Sequence, residues 1–209
     1  MELLQQITDG VIAGKAKIVK ELMAQGLEQG IGASDLLDAL IKGMSFIGEK
    51  FKNNEVYVPE VLITARAMNQ GMELLKPELA RQGVKAAGTV VIGTVKGDLH
   101  DIGKNLVRMM LEGRGLTVID LGVDVSADTF VEEAINNNAD IICCSALLTT
   151  TMDEMRSVVE AATAKGIRDK VKIMIGGAPI TQNFCDSIGA DAYTSDAASA
   201  ADAAFAFVG

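Results

Sequence analysis

At 209 residues the chain can hold one large domain or two small ones. It is 49% apolar, has no Trp and carries a net charge of −9 with no Lys/Arg run, which argues against a nucleic-acid surface. Its three cysteines, Cys143, Cys144 and Cys185, make neither a disulfide framework nor a zinc motif, and no apolar run is long enough to span a membrane.

The opening Met1-Glu2-Leu3-Leu4 has no basic region and no cleavage site, so no signal peptide and a cytoplasmic location are expected. Up to about residue 85 the apolar period is helical. Leu3, Leu4, Ile7, Val11 and Ile12 mark one helix; Ile18, Val19, Leu22, Met23 and Leu27 mark a second. A third carries Leu36, Leu37, Leu40, Ile41, Met44, Ile47 and Phe51, with Ser34-Asp35 as expected caps. The fourth opens at Pro59, where a first-turn proline belongs, with Glu60 favourable near its N-terminus. It runs through Val61, Leu62, Ala65, Met68, Met72 and Leu75. Four helices with short connections read as a small antiparallel bundle over 1–85.

Past a linker at 80–88 containing Gly83, Lys85 and Gly88, the period changes. Short β-rich runs alternate with amphipathic helices: Thr89–Val95 then 102–114, Leu116–Leu121 then 127–138, Ala139–Ser145 then 151–166, Val171–Ile175 then 180–188, Ala190–Tyr193 then 197–207. Five such units over 86–209 predict a five-stranded parallel, doubly wound sheet in the flavodoxin-like order 2-1-3-4-5. The overall class is therefore α + α/β. The cysteines read as buried small hydrophobes.

In such a sheet ligands bind beyond the carboxyl ends of the strands, near the switch point between strands one and three. Strand one ends in Lys96-Gly97-Asp98-Leu99-His100, strand three in Ser145-Ala146-Leu147-Leu148-Thr149-Thr150-Thr151, and strand four in Gly176-Gly177-Ala178-Pro179. His100 is the only histidine, so a His-rich mononuclear metal site is excluded. The ring can be structural, an acid/base, or one axial ligand to a metal whose other positions a macrocycle supplies. Asp98, two residues earlier, suits the last role, because a carboxylate on the second ring nitrogen fixes the tautomer. Phosphate readings fail. Gly97-x5-Gly103-Lys104 is one residue too long for a Walker A loop and ends in Asn105, and no G-x-G-x-x-G follows strand one.

The compound pattern Gly97-Asp98-Leu99-His100-Asp101-Ile102-Gly103-Lys104-Asn105, then Ser145-x-Leu147-x-Thr149, then Gly176-Gly177, resembles the D-x-H-x-x-G … S-x-L … G-G signature of cobalamin-binding domains. The helical half, through Met44-x3-Gly48-x2-Phe51 and Val56-Tyr57-Val58-Pro59-Glu60-Val61, resembles the cap of the methyl-transferring branch. Over essentially its whole length the chain resembles the small corrinoid proteins of methanol, methylamine, methoxy-aromatic and betaine-type methyltransferase systems.

The resemblance implies a corrinoid cofactor, cobalamin or a related cobamide, cycling between Co(I) and methyl-Co(III) and bound base-off with His100 as the lower cobalt ligand. Asp98 then supports His100, and Thr151 stands where cobalamin-dependent methionine synthases carry the serine that closes the relay. Gly97, Leu99, Asp101, Gly103, Ser145, Leu147 and Thr149 fall on corrin- or tail-contacting positions, as do Gly176, Gly177, Ala178 and Ala197. Phe51 and Val58 fall on cap positions that shield the methyl-bearing face. The implied role is a methyl-carrier subunit, not an autonomous enzyme. Its implied partners are a substrate:corrinoid methyltransferase, a methylcorrinoid:acceptor methyltransferase using coenzyme M or tetrahydrofolate, and a reductive activator. Storage or sensing of cobalamin is the alternative. A mutase subunit would lack the helical cap, and a sensor would need an attached signalling module.

Overall fold

The computed structural model describes residues 2–82 and 86–209, so Met1 and the linker positions Gly83 and Lys85 lie outside the described residues. The chain divides into two compact units that part between Ala86 and Ala87, with the short segment Gly113–Gly115 grouped with the first.

The first unit contains α1 (Glu2–Ile12), α2 (Ala16–Glu28), α3 (Ala33–Lys52) and α4 (Val58–Gln82). The apolar stripes read from the sequence turn inward: Ile7, Val11, Val19, Met23, Leu36, Leu40, Met44, Val61, Met68 and Leu75 are buried. α1 packs on α3, while α4 packs on α2 and α3. The Thr8 hydroxyl on α1 donates to the Ala39 carbonyl of α3 at 2.9 Å.

The start of α3 corrects the expected cap. Gly32 takes that position and offers no side-chain bond, and the Leu36 amide already donates to the Gly32 carbonyl at 3.1 Å. Ser34 therefore lies inside the first turn, and Asp35 serves there as a negative charge near the N-terminus. α4 opens as expected, with Pro59 in its first turn, and the Tyr57 amide donates to the Glu60 carboxylate at 3.0 Å. The helix continues past Pro77 to Gln82.

The second unit alternates strand and helix throughout. Its elements are β1 (Thr89–Thr94), α5 (Ile102–Gly113), β2 (Thr117–Asp120), α6 (Ala127–Asn136), β3 (Ile141–Ser145), α7 (Asp153–Ala164), β4 (Lys172–Gly176), α8 (Gln182–Ile188), β5 (Ala192–Tyr193) and α9 (Ala197–Val208). All pairings are parallel, in the order β2-β1-β3-β4-β5. The register sets Thr94 beside Ser145 and Ser145 beside Gly176, so β1, β3 and β4 end level with one another. That alignment brings the three unusual βα segments to one edge.

Several elements are a few residues shorter than the runs read from the sequence, and for two the cause is visible. β5 keeps only two residues, because Asp191 is drawn into side-chain bonds with the Ile173 amide and Arg168. α7 begins at Asp153 because Thr149–Thr151 wind into a single 3-10 turn.

Phe130, Ile142, Ile173 and Met155 are among the side chains filling the core on one face of the sheet. The three cysteines are free and buried, and burial pushes the Cys143 thiol up to about 12, so it behaves as an inert small apolar group. Below the carboxyl edge, buried Lys104 of α5 meets both oxygens of Asp120, at 2.6 and 2.7 Å, and ties the helix to the end of β2. Burial pushes the Asp120 carboxyl up, but Lys104 and the Gly122 amide outweigh it and hold the group ionised. No helix among the described residues is long and apolar enough to cross a membrane.

Candidate functional site

The β1–α5 loop carries Asp98 and His100 at the carboxyl edge. Gly97 adopts φ +78, a left-handed turn that favours glycine, and the Asp98 amide closes the turn on the Val95 carbonyl at 3.1 Å. The turn sends the Asp98 side chain inward until it is fully buried.

Five donors converge on that carboxylate. Its Oδ1 accepts from the His100 amide at 3.1 Å and lies 2.7 Å from the ring Nδ1. Its Oδ2 accepts from the Leu147 and Leu148 amides at 2.7 and 3.1 Å, and from the Thr151 hydroxyl at 3.0 Å. Burial by itself pushes the carboxyl up. The Leu147 amide, the His100 ring and the His100 and Leu148 amides more than reverse this, holding it well below the usual carboxylate range.

An ionised carboxylate can only accept, so the shared proton sits on Nδ1 of His100, and Nε2 is the nitrogen left to bind a metal. Asp98 is thus buried and fixed, while the His100 side chain is half exposed. This is a ring oriented from behind with its metal-binding nitrogen turned to the open edge. Among the described residues no group of three or more His, Cys, Asp or Glu could hold a metal ion. His100 can therefore supply one bond, and the remaining positions must come from the metal's own ligand.

The surroundings suit a broad, flat, partly apolar group. Leu99 is 71% exposed, Ile102 78%, Leu147 44% and Leu148 40%, a concentration of bare apolar side chains next to a buried charge. A Cβ added at Gly103 would meet nothing within 4 Å, and one at Gly176 would only reach the Thr194 carbonyl at 4.0 Å, so both glycines border open space. Gly177 differs. With φ +132, its added Cβ would fall 1.8 Å from the Ala146 carbonyl oxygen, so no side chain fits where β3 and β4 end. The residues present therefore fit a macrocycle that brings its own metal and needs one axial nitrogen.

The other expected positions fall as follows. Asp101 is exposed and accepts from the Asn105 amide group at 3.0 Å. Ser145 is half-buried at the end of β3, Thr149 is exposed in the 3-10 turn, and Ala178 is exposed after β4. Ala197 is buried in the first turn of α9, leaving little of its side chain for a ligand. Phe51 and Val58 lie in the helical unit, half-buried at the end of α3 and the start of α4, whereas Met44 and Ile47 are fully buried there.

Thr151 is buried, and its hydroxyl reaches both Asp98 and the Leu148 carbonyl at 2.9 Å. Both partners are acceptors, so one proton is shared between them. Its methyl lies on the Gly97 side, 3.6 Å from where a Cβ on that glycine would sit. Thr151→Val keeps the shape, removes one of five donors to Asp98, and should cost about 1 kcal/mol of stability. Thr151→Ser should restore it, and paired denaturant titrations of the apoprotein read the difference.

Four contributors were not visible in the sequence. The Leu147 and Leu148 amides are backbone groups, whose donors carry no residue signature. Thr94, fully buried at the end of β1, donates its hydroxyl to the His100 carbonyl at 2.8 Å; a polar residue closing a buried strand is the signal that could have found it. Asp124, in the β2–α6 loop, accepts from the Gly97 amide at 2.7 Å.

Comparison with known proteins agrees with this geometry. B12 binding domain models match residues 88–205 and residues 3–76. The chain belongs to the B12-binding corrinoid proteins. It is 43% identical to trimethylamine corrinoid protein 1 of Methanosarcina acetivorans, over 92% of this chain and 90% of that one. It is 38% identical to a corrinoid protein of Desulfitobacterium hafniense, over 100% of this chain and 99% of the relative. Among solved structures, the methanol:cobalamin methyltransferase complex of Methanosarcina barkeri matches with a TM-score of 0.88 at 32% identity, covering 99% of this chain and 80% of that one. A corrinoid is accordingly the cofactor of this family member.

Proposed function

We propose that this corrinoid protein is a methyl-carrier subunit, loaded by a substrate-specific methyltransferase and unloaded by a second methyltransferase. The observation that carries the reading is the Asp98–His100 pair, with Nδ1 bound at 2.7 Å and Nε2 bare at the sheet edge. The names of the relatives, which are corrinoid proteins of trimethylamine and methanol systems, support the methyl-transfer context. When bound, the corrinoid supplies a cobalt centre that accepts a methyl group and gives it up again. The chain's residues hold and tune it. His100 would hold the cobalt through Nε2. Asp98, bonded to Nδ1 at 2.7 Å, would keep the ring in the orientation and tautomer that leave Nε2 for the metal. The Thr151 hydroxyl and the Leu147 and Leu148 amides keep Asp98 ionised and fixed behind the ring.

Gly97, Leu99, Asp101, Gly103, Ser145, Leu147 and Thr149 are assigned to the corrin edge and the start of its tail. Gly176, Gly177, Ala178 and Ala197 are assigned to the tail. Phe51 and Val58 are assigned to shielding the methyl-bearing face. Coenzyme M or tetrahydrofolate is the acceptor of the second methyltransferase, and a reductive activator restores the reduced metal. A cytoplasmic location accords with three free, buried thiols.

The test is to mix reduced holoprotein with a donor methyltransferase and methanol or a methylamine, following the corrinoid absorption. Methylation, followed by discharge on adding an acceptor methyltransferase with coenzyme M or tetrahydrofolate, is the expected outcome. A holoprotein that releases intact corrinoid yet takes methyl from no donor would make this a storage protein.

A further inference from the structure

Asp124 lies on a different loop from the Asp98–His100 pair, 27 residues from Gly97, yet it bonds twice to the Gly97–Asp98 backbone that leads into that pair. Its carboxylate accepts from the Gly97 amide at 2.7 Å, and its own amide donates to the Asp98 carbonyl at 3.0 Å. These bonds grip both ends of the Gly97–Asp98 link. The clamp rests on a firm base: the Thr94 amide donates to the Gly122 carbonyl and the Val125 amide to the Thr94 carbonyl, each at 3.0 Å. β1 and the β2–α6 loop are thus stitched together on either side of Asp124.

The backbone at Asp124 gives the second reason to assign it a role. Its φ is +55, a left-handed conformation that glycine adopts freely and that aspartate and asparagine enter more readily than other L residues. Gly122, two residues earlier, already uses that freedom at φ +82. An aspartate at 124 holds the conformation and retains a carboxylate, and among the described residues the one bond that carboxylate makes is to Gly97.

We propose that Asp124 is a positioning residue for His100. By fixing the Gly97–Asp98 link it sets where the Asp98 carboxylate stands, and hence where the ring that Asp98 orients presents Nε2. The inference rests on the reading of His100 as an axial ligand.

Electron paramagnetic resonance of the Co(II) holoprotein tests both and separates them, because an axial nitrogen splits the cobalt lines. Wild type, His100→Ala, Asp124→Gly and Asp124→Asn are compared, with the unfolding temperature of each apoprotein alongside. Asp124→Gly adopts the left-handed φ freely while removing the carboxylate, so its stability should change little. Its ratio of ring-bound to ring-free cobalt should shift toward ring-free by about tenfold, the effect of losing one hydrogen bond to a charged acceptor. Asp124→Asn retains an acceptor and tolerates the left-handed conformation, so it should restore most of the splitting. Full splitting in Asp124→Gly, with splitting present in wild type and absent in His100→Ala, overturns the positioning role alone. Identical spectra in wild type and His100→Ala overturn the axial reading and this inference with it.

Discussion

Replacing His100 by alanine is expected to abolish axial nitrogen ligation of the bound corrinoid while leaving the apoprotein nearly as stable as wild type. The two effects separate because the ring and its support sit on opposite sides of a burial boundary. The His100 side chain is half exposed, so its removal opens no large cavity. Asp98 stays satisfied without it, since the backbone amide of residue 100, the Leu147 and Leu148 amides and the Thr151 hydroxyl remain as donors. Losing one of five donors should cost about 1 kcal/mol.

The bound state loses much more. Removal of an outer partner of a metal ligand already lowers metal affinity about 10- to 100-fold, and His100→Ala removes the ligand itself. Corrinoid affinity should therefore fall by at least that much, measured by titrating the apoprotein and following absorption. Unchanged affinity, together with an unchanged Co(II)/Co(I) potential, would rule out the axial role. A loss of affinity accompanied by an equal loss of apoprotein stability would instead mark His100 as a structural residue.

Much of this site is legible in the sequence, for reasons that differ by residue. The strands were legible because parallel strands buried on both faces are continuous apolar runs, and strand order then follows from the alternation with helices. Level strand ends made the meeting of Gly97–His100, Ser145–Thr151 and Gly176–Ala178 predictable. Asp98 and His100 were legible from spacing alone, since a two-residue step round one glycine turn suffices to bring carboxylate and ring together.

Thr151 was legible as a hydroxyl in the right segment, but its bond to Asp98 depends on the 3-10 turn over Thr149–Thr151, which the run of threonines does not announce. The misread cap at Ser34-Asp35 has a similar origin. Cap chemistry is carried by residue type, but the position of the first turn is set by the packing of Leu36 and Leu40. Asp124 was invisible because its role lies in a bond across two loops. The sequence reading could place residues at the edge of the sheet; it could not show which backbone groups close the circle around Asp98.

That circle makes Asp98 the position whose substitution should most disturb the folded protein, and Asp98→Asn tests it with the shape preserved. An amide has one accepting oxygen and one donating nitrogen, and each of its two orientations fails. With the nitrogen in place of Oδ2 it faces the Leu147 and Leu148 amides, donor against donor. With the nitrogen in place of Oδ1 it faces the His100 amide, and the ring can answer only by accepting at Nδ1. The imidazole proton then moves to Nε2, the atom needed for the metal. Either way at least one part-buried amide loses its partner, at up to about 1–3 kcal/mol, and the lost charge adds to this. Asp98→Ala removes the acceptor of three part-buried amides at once and should cost more, up to roughly 3–9 kcal/mol against the margin of about 5–15 kcal/mol that keeps a domain folded.

Acid titration gives an independent signature. In the folded protein Asp98 ionises well below the usual range, whereas unfolded it takes a proton near about pH 3.9. The unfolded state therefore binds the proton first as pH falls. The stability contributed by Asp98 is present above about pH 4 and drains away through the folded value. The Asn variant, with nothing to titrate at this position, should be less stable at neutral pH and should show a shallower loss below about pH 4. Parallel slopes for the two apoproteins would mean that the carboxylate is not held by its five donors in solution. A steeper wild-type fall would show that the donors around Asp98 hold its charge in solution, behind the ring that Asp98 orients.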